Sequence, residues 1–328
     1  MEYRAYQVSS EDGKHYSGAV VTLNEQALPA HDVLIRVHYS SVNYKDALSA
    51  SGNKGVSRNF PHVPGIDAAG EVVHDRSGRF PAGLQVVVTG YDLGMNTAGG
   101  FAEYICVPPD WVQALPAGLS MRDAMAYGTA GLTAGLCVQK LQRMGLPFEG
   151  EVVVTGASGG VGSISAALLA KLGHDVVAVT GKSDAADFFA GLGVAKVMAR
   201  DEFLHDSAKP MLKPRWAAAV DVCGGEMLAA AVKSLRYGCS VAACGLVNSA
   251  DLPLNVFPFI LRDVNLLGVD SVELPLVDKG HIWRRFAAEW ALPDMVAATR
   301  EITLEQLPEV LPMLLAGKSK GRYLVRLI

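Results

Sequence analysis

The sequence predicts an α/β protein of two domains: a β-rich domain, then a doubly wound parallel sheet. Three observations predict it. Up to about residue 120 the chain offers short apolar strands set between Gly and Pro, the pattern of a compact, partly barrel-like β domain. After residue 150 strands and helices alternate, which argues for a parallel sheet covered by helices on both faces. At 152–162 the string "VVVTGASGGVG" runs from a strand into a glycine-rich turn and then a helix, as phosphate-binding turns do. A chain of 328 residues also exceeds one ordinary core and suits two.

The elements follow in order. "DVLIRVHYSSV" (32–42) begins with the alternation of a half-buried strand. "AAGEVV" (68–73) and "LQVVVTG" (84–90) are further strands. Residues 120–145 read as two helices, with Ser120 and Asp123 as an N-cap pattern. Strands at 152–155, 175–180, 195–199, 218–222 and 240–244 then alternate with helices at 161–172, 184–191 and 226–236. "NLLGVDSV" (265–272) reads as one more strand, 278–291 and 304–316 as helices, and the terminal "GRYLVRLI" as a strand. That last strand has no place in the parallel sheet and is expected to return to the first domain.

In the turn, Gly156, Gly159 and Gly162 have the GxxGxxG spacing, with Ser158, Gly160 and Val161 between them. One glycine permits the tight turn, one admits the pyrophosphate to the backbone, and one lets helix and strand pack closely. The helix N-terminus then offers free N–H groups and a positive dipole end. NAD sites place a carboxylate about 20 residues on, at the end of the second strand, for the ribose 2′-hydroxyl. Here that end reads Thr180-Gly181-Lys182-Ser183. A lysine with hydroxyls suits a 2′-phosphate, and Arg200, after "AKVMA", adds a second cation. The residues therefore favour NADP over NAD. The turn also fits the TGxxxGxG pattern of short-chain dehydrogenases. None of the ten tyrosines has a lysine four positions later, and the turn comes too late in the chain, so that reading is rejected.

Several classes are excluded. A net charge of −4 gives no reason to expect nucleic acid. The start "MEYRAYQVSSEDGKH" lacks the apolar run of a secretory signal. The uncharged stretch Ala124–Gln139 falls short of the ~20 residues of a membrane span. The five cysteines form no CxxC pair, so neither disulfides nor a zinc cluster is expected, and a reducing cytoplasm is. Cysteines without a nearby His read as small core residues, and His38 and His62 show no metal-ligand spacing.

A β-rich domain, a nucleotide domain with "ASGGVG" and a return to the first domain together resemble the medium-chain dehydrogenase/reductase superfamily over the whole chain. The resemblance implies a GroES-like catalytic domain at 1–120 with 275–328, and a Rossmann NADP-binding domain at 121–274. Zinc-dependent members carry a Cys ligand, a "GHE" segment and a four-Cys lobe. Here Tyr44 or a neighbour stands in the Cys place, Ile66 in "PGIDAAG" replaces the His, and "YDLGMNTAGGFAEY" (91–104) has no cysteine. Catalytic zinc needs three protein ligands, so the chain resembles a zinc-free member near the quinone-oxidoreductase branch, and no metal is expected. The strings "SSVNYKDALSASG", "RNFPHVPGIDAAG", "GTAGLTA", "RDEF", "VAACGL" and "PFILRDVNLLGVDSV" narrow the resemblance to the acrylyl-CoA reductase group. That group is implied to reduce propenoyl-CoA to propanoyl-CoA with NADPH.

Carried over residue by residue, the resemblance implies cofactor binding at Tyr44, Ser158, Gly159, Gly160, Val161, Thr180, Gly181, Lys182, Arg200, Leu246 and Ser271, with Gly162 completing the turn. Lys182 departs from the arginine frequent in close relatives; it keeps the charge and loses the fork. The chemistry implied is hydride transfer to the β-carbon of the alkene. Donors stabilise the enolate oxygen, and a proton reaches the α-carbon. Tyr44 is the candidate donor, with packing against the nicotinamide or ribose as its alternative. Asn43 is a candidate for the nicotinamide ribose. Lys45 and Asp46 read equally as a structural ion pair, Asp67 as the acid that zinc relatives have at this place or as a hydrogen bond to backbone, and Arg262 as a contact to the CoA phosphates or a surface salt bridge. "NLLGVDSV" is apolar enough to extend the sheet across a two-fold axis, and a homodimer is expected. Three functions are weighed: a short-chain 2-enoyl-CoA reductase with an acyl-CoA substrate, a quinone or enone reductase, and a non-catalytic NADPH-binding protein.

Overall fold

The structure, a computed structural model, describes residues 1–147 and 149–328. The chain starts with β1 (Glu2–Ser9), β2 (Ser17–Asn24), β3 (Val33–Ser41), α1 (Tyr44–Ala50), β4 (Asp67–Asp75), β5 (Gln85–Thr89), β6 (Tyr104–Val107) and β7 (Gln113–Ala114). Helix α2 (Met121–Arg143) follows, then β8 (Glu151–Val154), α3 (Gly160–Lys171), β9 (Asp175–Thr180), α4 (Ala186–Ala190), β10 (Lys196–Ala199) and α5 (Arg200–Phe203). Next come β11 (Trp216–Asp221), α6 (Gly225–Lys233), β12 (Leu235–Ala243), α7 (Phe257–Arg262) and β13 (Asn265–Gly268). The chain ends with α8 (Leu276–Phe286), α9 (Pro293–Ala297), β14 (Arg300–Ile302), α10 (Leu307–Leu315) and β15 (Tyr323–Arg326). Two compact units result: Met1–Thr129 with Ser271–Ala291 and Val296–Ile328, and Ala130–Asp270 with Leu292–Met295.

The first unit holds the antiparallel hairpin β1–β2 and a seven-stranded sheet in the order β14-β15-β3-β4-β5-β7, with β6 also on β3. Its core alternates as half-buried strands require: Val33, Ile35 and Val37 of β3 meet Val86 and Val88 of β5, with Phe101 and Ile105. The terminal strand joins this sheet, β15 pairing antiparallel with β3 at Leu324↔Ser41. The hairpin carried no signal in the sequence reading, because β2 is half-exposed along its length.

The second unit is a six-stranded parallel sheet in the order β10-β9-β8-β11-β12-β13. Numbered from β8 this is 3-2-1-4-5-6, the dinucleotide-binding arrangement, and the order reverses between β8 and β11. Every residue of β11 is buried, as helices on both faces demand. Strand β13 is shorter than the eight-residue strand expected, ending at Gly268. The two helices expected at 120–145 are joined at Gly128, whose backbone (φ 54°, ψ −156°) is not helical. Among the described residues no helix is long and apolar enough to cross a membrane.

Candidate active site

The nucleotide turn leaves β8 at the order reversal of the second unit. Thr155 Oγ1 donates to Asp221 Oδ1 (2.6 Å), which ties the turn to the end of β11. Ala157 N–H donates to Val179 O (3.0 Å), which ties it to β9. A Cβ on Gly162 would stand 2.7 Å from the Ala157 Cα, so only glycine lets α3 start this close to the strand. Gly159 precedes α3 with extended backbone and no side-chain cap. The first N–H groups of a helix have no intrahelical acceptors, and those of Gly160, Val161 and Gly162 begin this one.

Thr180, at the end of β9, donates from Oγ1 to the Ser158 hydroxyl (2.9 Å) and accepts the Lys182 N–H (3.2 Å). Ala199 of β10 lies opposite Thr180 in the parallel register, so Arg200 leaves its strand beside the Gly181-Lys182 step. The two cations thus stand at the carboxyl ends of neighbouring strands, which run about 5 Å apart. Asp175 sits at the other end of β9 and pairs with Lys196 (2.6 Å), so it offers nothing to a ribose here. Leu246 is 66 % exposed on a segment pinned to the end of β11 by Cys244 N–H to Asp221 O (3.0 Å) and Asn248 N–H to Cys223 O (2.8 Å).

In the first unit, Ser271 is buried and precedes Val272. The Val272 carbonyl accepts from Tyr91 N–H (3.2 Å) and from the buried Lys279 Nζ (2.9 Å). Tyr44, half-buried, opens α1. Asn43 is the residue before the helix. The Asp46 carboxylate in the first turn reaches back to the Asn43 N–H (2.7 Å) and with its other oxygen accepts the Ile66 N–H (2.9 Å). Asp46 is therefore a local cap and a tie to the next strand, and the ion pair read for it with Lys45 is not formed. Burial first, then the nearby Asp67 carboxylate, push Asp46 up to about 7; the N–H bonds from Asn43 and Ile66 and the Arg322 charge oppose them.

Asp67 is fully buried. It accepts from the Ser41 hydroxyl, Asn43 Nδ2 (2.7 Å), Thr129 N–H (2.9 Å) and Thr129 Oγ1 (2.6 Å). Arg322, 3 % exposed, donates to Ala126 O (3.2 Å), Val42 O (3.0 Å) and Asn43 Oδ1 (3.2 Å). Gly128 is the residue around which this cluster closes. A Cβ there would meet Asp67 Oδ2 at 2.6 Å and Arg322 Nη2 at 2.9 Å, and its φ/ψ pair belongs to glycine.

Sequence reasoning singled out Asn43, Asp46 and Asp67 but missed Ser41, Thr129, Gly128 and Arg322. An Asn-x-x-Asp spacing ahead of a helix signals the cap. Nothing in the sequence signals Arg322, which lies 279 positions from Asn43. Arg262 is reassigned: its guanidinium donates to Leu212 O (2.6 Å) and Lys233 O (2.9 Å) inside the second unit, so it is neither a surface salt bridge nor directed at a phosphate. The cysteines are unpaired, and burial pushes the Cys223 thiol up to about 11, a poor nucleophile.

Zinc does not fit this chemistry. Ile66 offers no donor, both Asp67 oxygens are engaged, and among the described residues no three His, Cys, Asp or Glu side chains gather as a metal-holding set.

Residues 29–117 match the alcohol dehydrogenase GroES-like domain, and residues 160–286 match the zinc-binding dehydrogenase domain. The acrylyl-CoA reductase AcuI of Ruegeria pomeroyi is 44 % identical over 96 % of each chain. The YhdH oxidoreductase of Salmonella enterica, solved in complex with NADP, superposes with a TM-score of 0.95 at 44 % identity, over all of both chains. Bacillus subtilis YhfP, solved with NAD bound, gives a TM-score of 0.95 at 42 % identity over all of both chains. The chain belongs to the medium-chain dehydrogenase/reductase superfamily, in its zinc-free quinone-oxidoreductase-like branch and the acrylyl-CoA reductase group.

Proposed function

We propose that the protein is an NADPH-dependent reductase of the 2,3 double bond of short 2-enoyl-CoA thioesters, converting acryloyl-CoA to propanoyl-CoA without a metal. One observation carries the reading: the glycine turn lies at the sheet reversal, and Lys182 and Arg200 follow the carboxyl ends of the neighbouring strands β9 and β10. That arrangement supports a dinucleotide with a 2′-phosphate, since NAD sites put a carboxylate there. The named activity of the full-length R. pomeroyi relative supports the acyl-CoA substrate and ranks a quinone or enone substrate behind it. Because one relative has been solved with NAD bound, the cofactor preference needs its own measurement.

The residues of the turn, Ser158 to Gly162, would hold the pyrophosphate on backbone N–H groups. Thr180, Gly181, Lys182 and Arg200 would hold the ribose phosphate, with Leu246, Ser271 and Tyr44 completing the cofactor contacts. When bound, the reduced nicotinamide supplies a hydride. The Tyr44 hydroxyl donates to the thioester oxygen as enolate charge develops there, and Asn43 fixes the start of the helix that bears it. A general acid or water delivers the proton to the α-carbon.

The reading includes a homodimer in the cytoplasm. Strand β13 is the end strand of its sheet, and Ile260, Leu261 and Leu266 beside it are 69, 61 and 37 % exposed. An unpaired edge flanked by apolar side chains supports pairing with a second copy.

The test is loss of nicotinamide absorbance with acryloyl-CoA and NADPH, run beside NADH and a simple quinone. Turnover with acryloyl-CoA and NADPH far above the other two supports the whole reading. Turnover with quinone alone overturns the acyl-CoA substrate, and NADPH binding without turnover on any activated alkene overturns the enzyme.

A further inference from the structure

We propose that Asp67, Arg322 and Asp46 are positioning residues that set the Tyr44 side chain by clamping Asn43. The proposal rests on the reading of Tyr44 as the donor to the substrate.

The geometry is specific. The Asn43 amide lies between opposite charges, Nδ2 donating to Asp67 Oδ2 (2.7 Å) and Oδ1 accepting from Arg322 Nη1 (3.2 Å). Turning the amide over would face its NH2 to a guanidinium and its oxygen to a carboxylate, so a single orientation is selected. The Asn43 N–H is held by Asp46 and the Val42 carbonyl by Arg322. The two residues before Tyr44 are thus bonded to buried ionic groups, and Asp46, two residues after it, is itself one of those groups, while Tyr44 stays half-exposed. Ile66 N–H on Asp46 and Thr129 on Asp67 extend the clamp to the start of β4 and to the Gly128 bend.

Energetics favour positioning over stability as the reason for this cluster. Three ionic side chains lie in a place where well-packed apolar ones would stabilise as much or more. Charged hydrogen bonds are stronger and more directional than packing, which is what a fixed helix start requires.

The cluster also has a titration built in. With both carboxylates ionised its charge is −1. Asp46 is faced by Asp67 from β4 and by Arg322 from the segment entering β15, and its ionisation falls about pH 7. Ionised, both of its oxygens accept N–H groups; protonated, one becomes a hydroxyl, a poor acceptor, and the hold on Asn43 or Ile66 slackens. Turnover is therefore expected to rise with pH through about 7.

The test is a kinetic cycle on full-length enzyme with Tyr44→Phe, Asp67→Asn and the double variant, at saturating NADPH and acryloyl-CoA. Tyr44→Phe should lower kcat at least tenfold. Asp67→Asn should lower kcat about tenfold with KM changed less than twofold, and the double variant should be no slower than Tyr44→Phe, because both act through one group. Losses that multiply in the double variant, or an Asp67→Asn enzyme with wild-type kcat, overturn the clamp. A Tyr44→Phe enzyme with full kcat instead overturns the role of Tyr44, whatever Asp67→Asn does. If Asp67→Asn does not fold, Asp46→Asn decides. Its kcat should stay low and flat between pH 6 and 8 while the wild type rises, and a rise retained in Asp46→Asn overturns the proposal.

Discussion

The nucleotide turn and the charge cluster around Asn43 are built in opposite ways. The turn uses consecutive residues, backbone N–H groups and the absence of side chains; its Gly162 matters because nothing larger fits against Ala157. The cluster uses side chains brought from four separate segments, Ser41–Asp46, Asp67, Thr129 and Arg322, and nearly every polar atom in it answers another. A backbone site tolerates change in all but its glycines. A buried ionic site tolerates change in none of its members, since each deletion leaves a charge without a partner.

That contrast can be broken by experiment, and the largest effect should come from the cluster. Asp67→Ala leaves Ser41, Asn43 and Thr129 short of an acceptor and the buried Arg322 without a nearby opposite charge, and it should destabilise the protein by about 3–5 kcal/mol in a denaturant titration; a loss below about 1 kcal/mol would mean the cluster is loosely held. Next is the turn. Gly162→Val should weaken NADPH binding at least 100-fold by isothermal titration, about 2.7 kcal/mol, while Ser158→Ala should change it only a few-fold. Equal losses for both would erase the distinction between backbone and side-chain sites.

Third is the pH dependence of folding. Asp46 is raised from 3.8 to about 7 in the folded protein, so the native state holds a proton that the unfolded state has released. Its contribution to stability is full below about pH 4 and is lost as pH rises through about 7. Relative to Asp46→Asn, the wild type should lose stability between pH 5 and 6.5 by at most about 1.4 kcal/mol per pH unit; a difference that grows with pH would contradict the burial of this carboxyl. The smallest effect should come from the exposed end of the nucleotide site. Lys182→Ala should weaken NADPH about tenfold and leave NADH unchanged, and equal losses for both cofactors would remove Lys182 from the 2′-phosphate.

Much of the fold was legible because its signals are local. Strand-turn-helix at 152–171 is written in adjacent residues, and the unbroken apolar runs of β9 and β11 announce a parallel sheet. The missing carboxylate after β9 pointed to the cofactor for the same reason. The β1–β2 hairpin escaped because β2 lacks a clean buried face. Arg262 misled because an arginine, even in an apolar string, reads as a surface charge until its carbonyl acceptors are seen.

By itself, then, the sequence determined the two kinds of domain, the glycine turn between β8 and α3, and membership of the family. Periodicity, glycine spacing and strand ends are set within a few residues of one another. Only the tertiary structure decided the strand order of the parallel sheet, the bend at Gly128 and the clamp of Asp46, Asp67 and Arg322 on Asn43. Those depend on which distant segments share a low-dielectric interior. There a carboxylate's partner is chosen by proximity in space and the cost of leaving it unpaired, and no spacing along the chain records that choice.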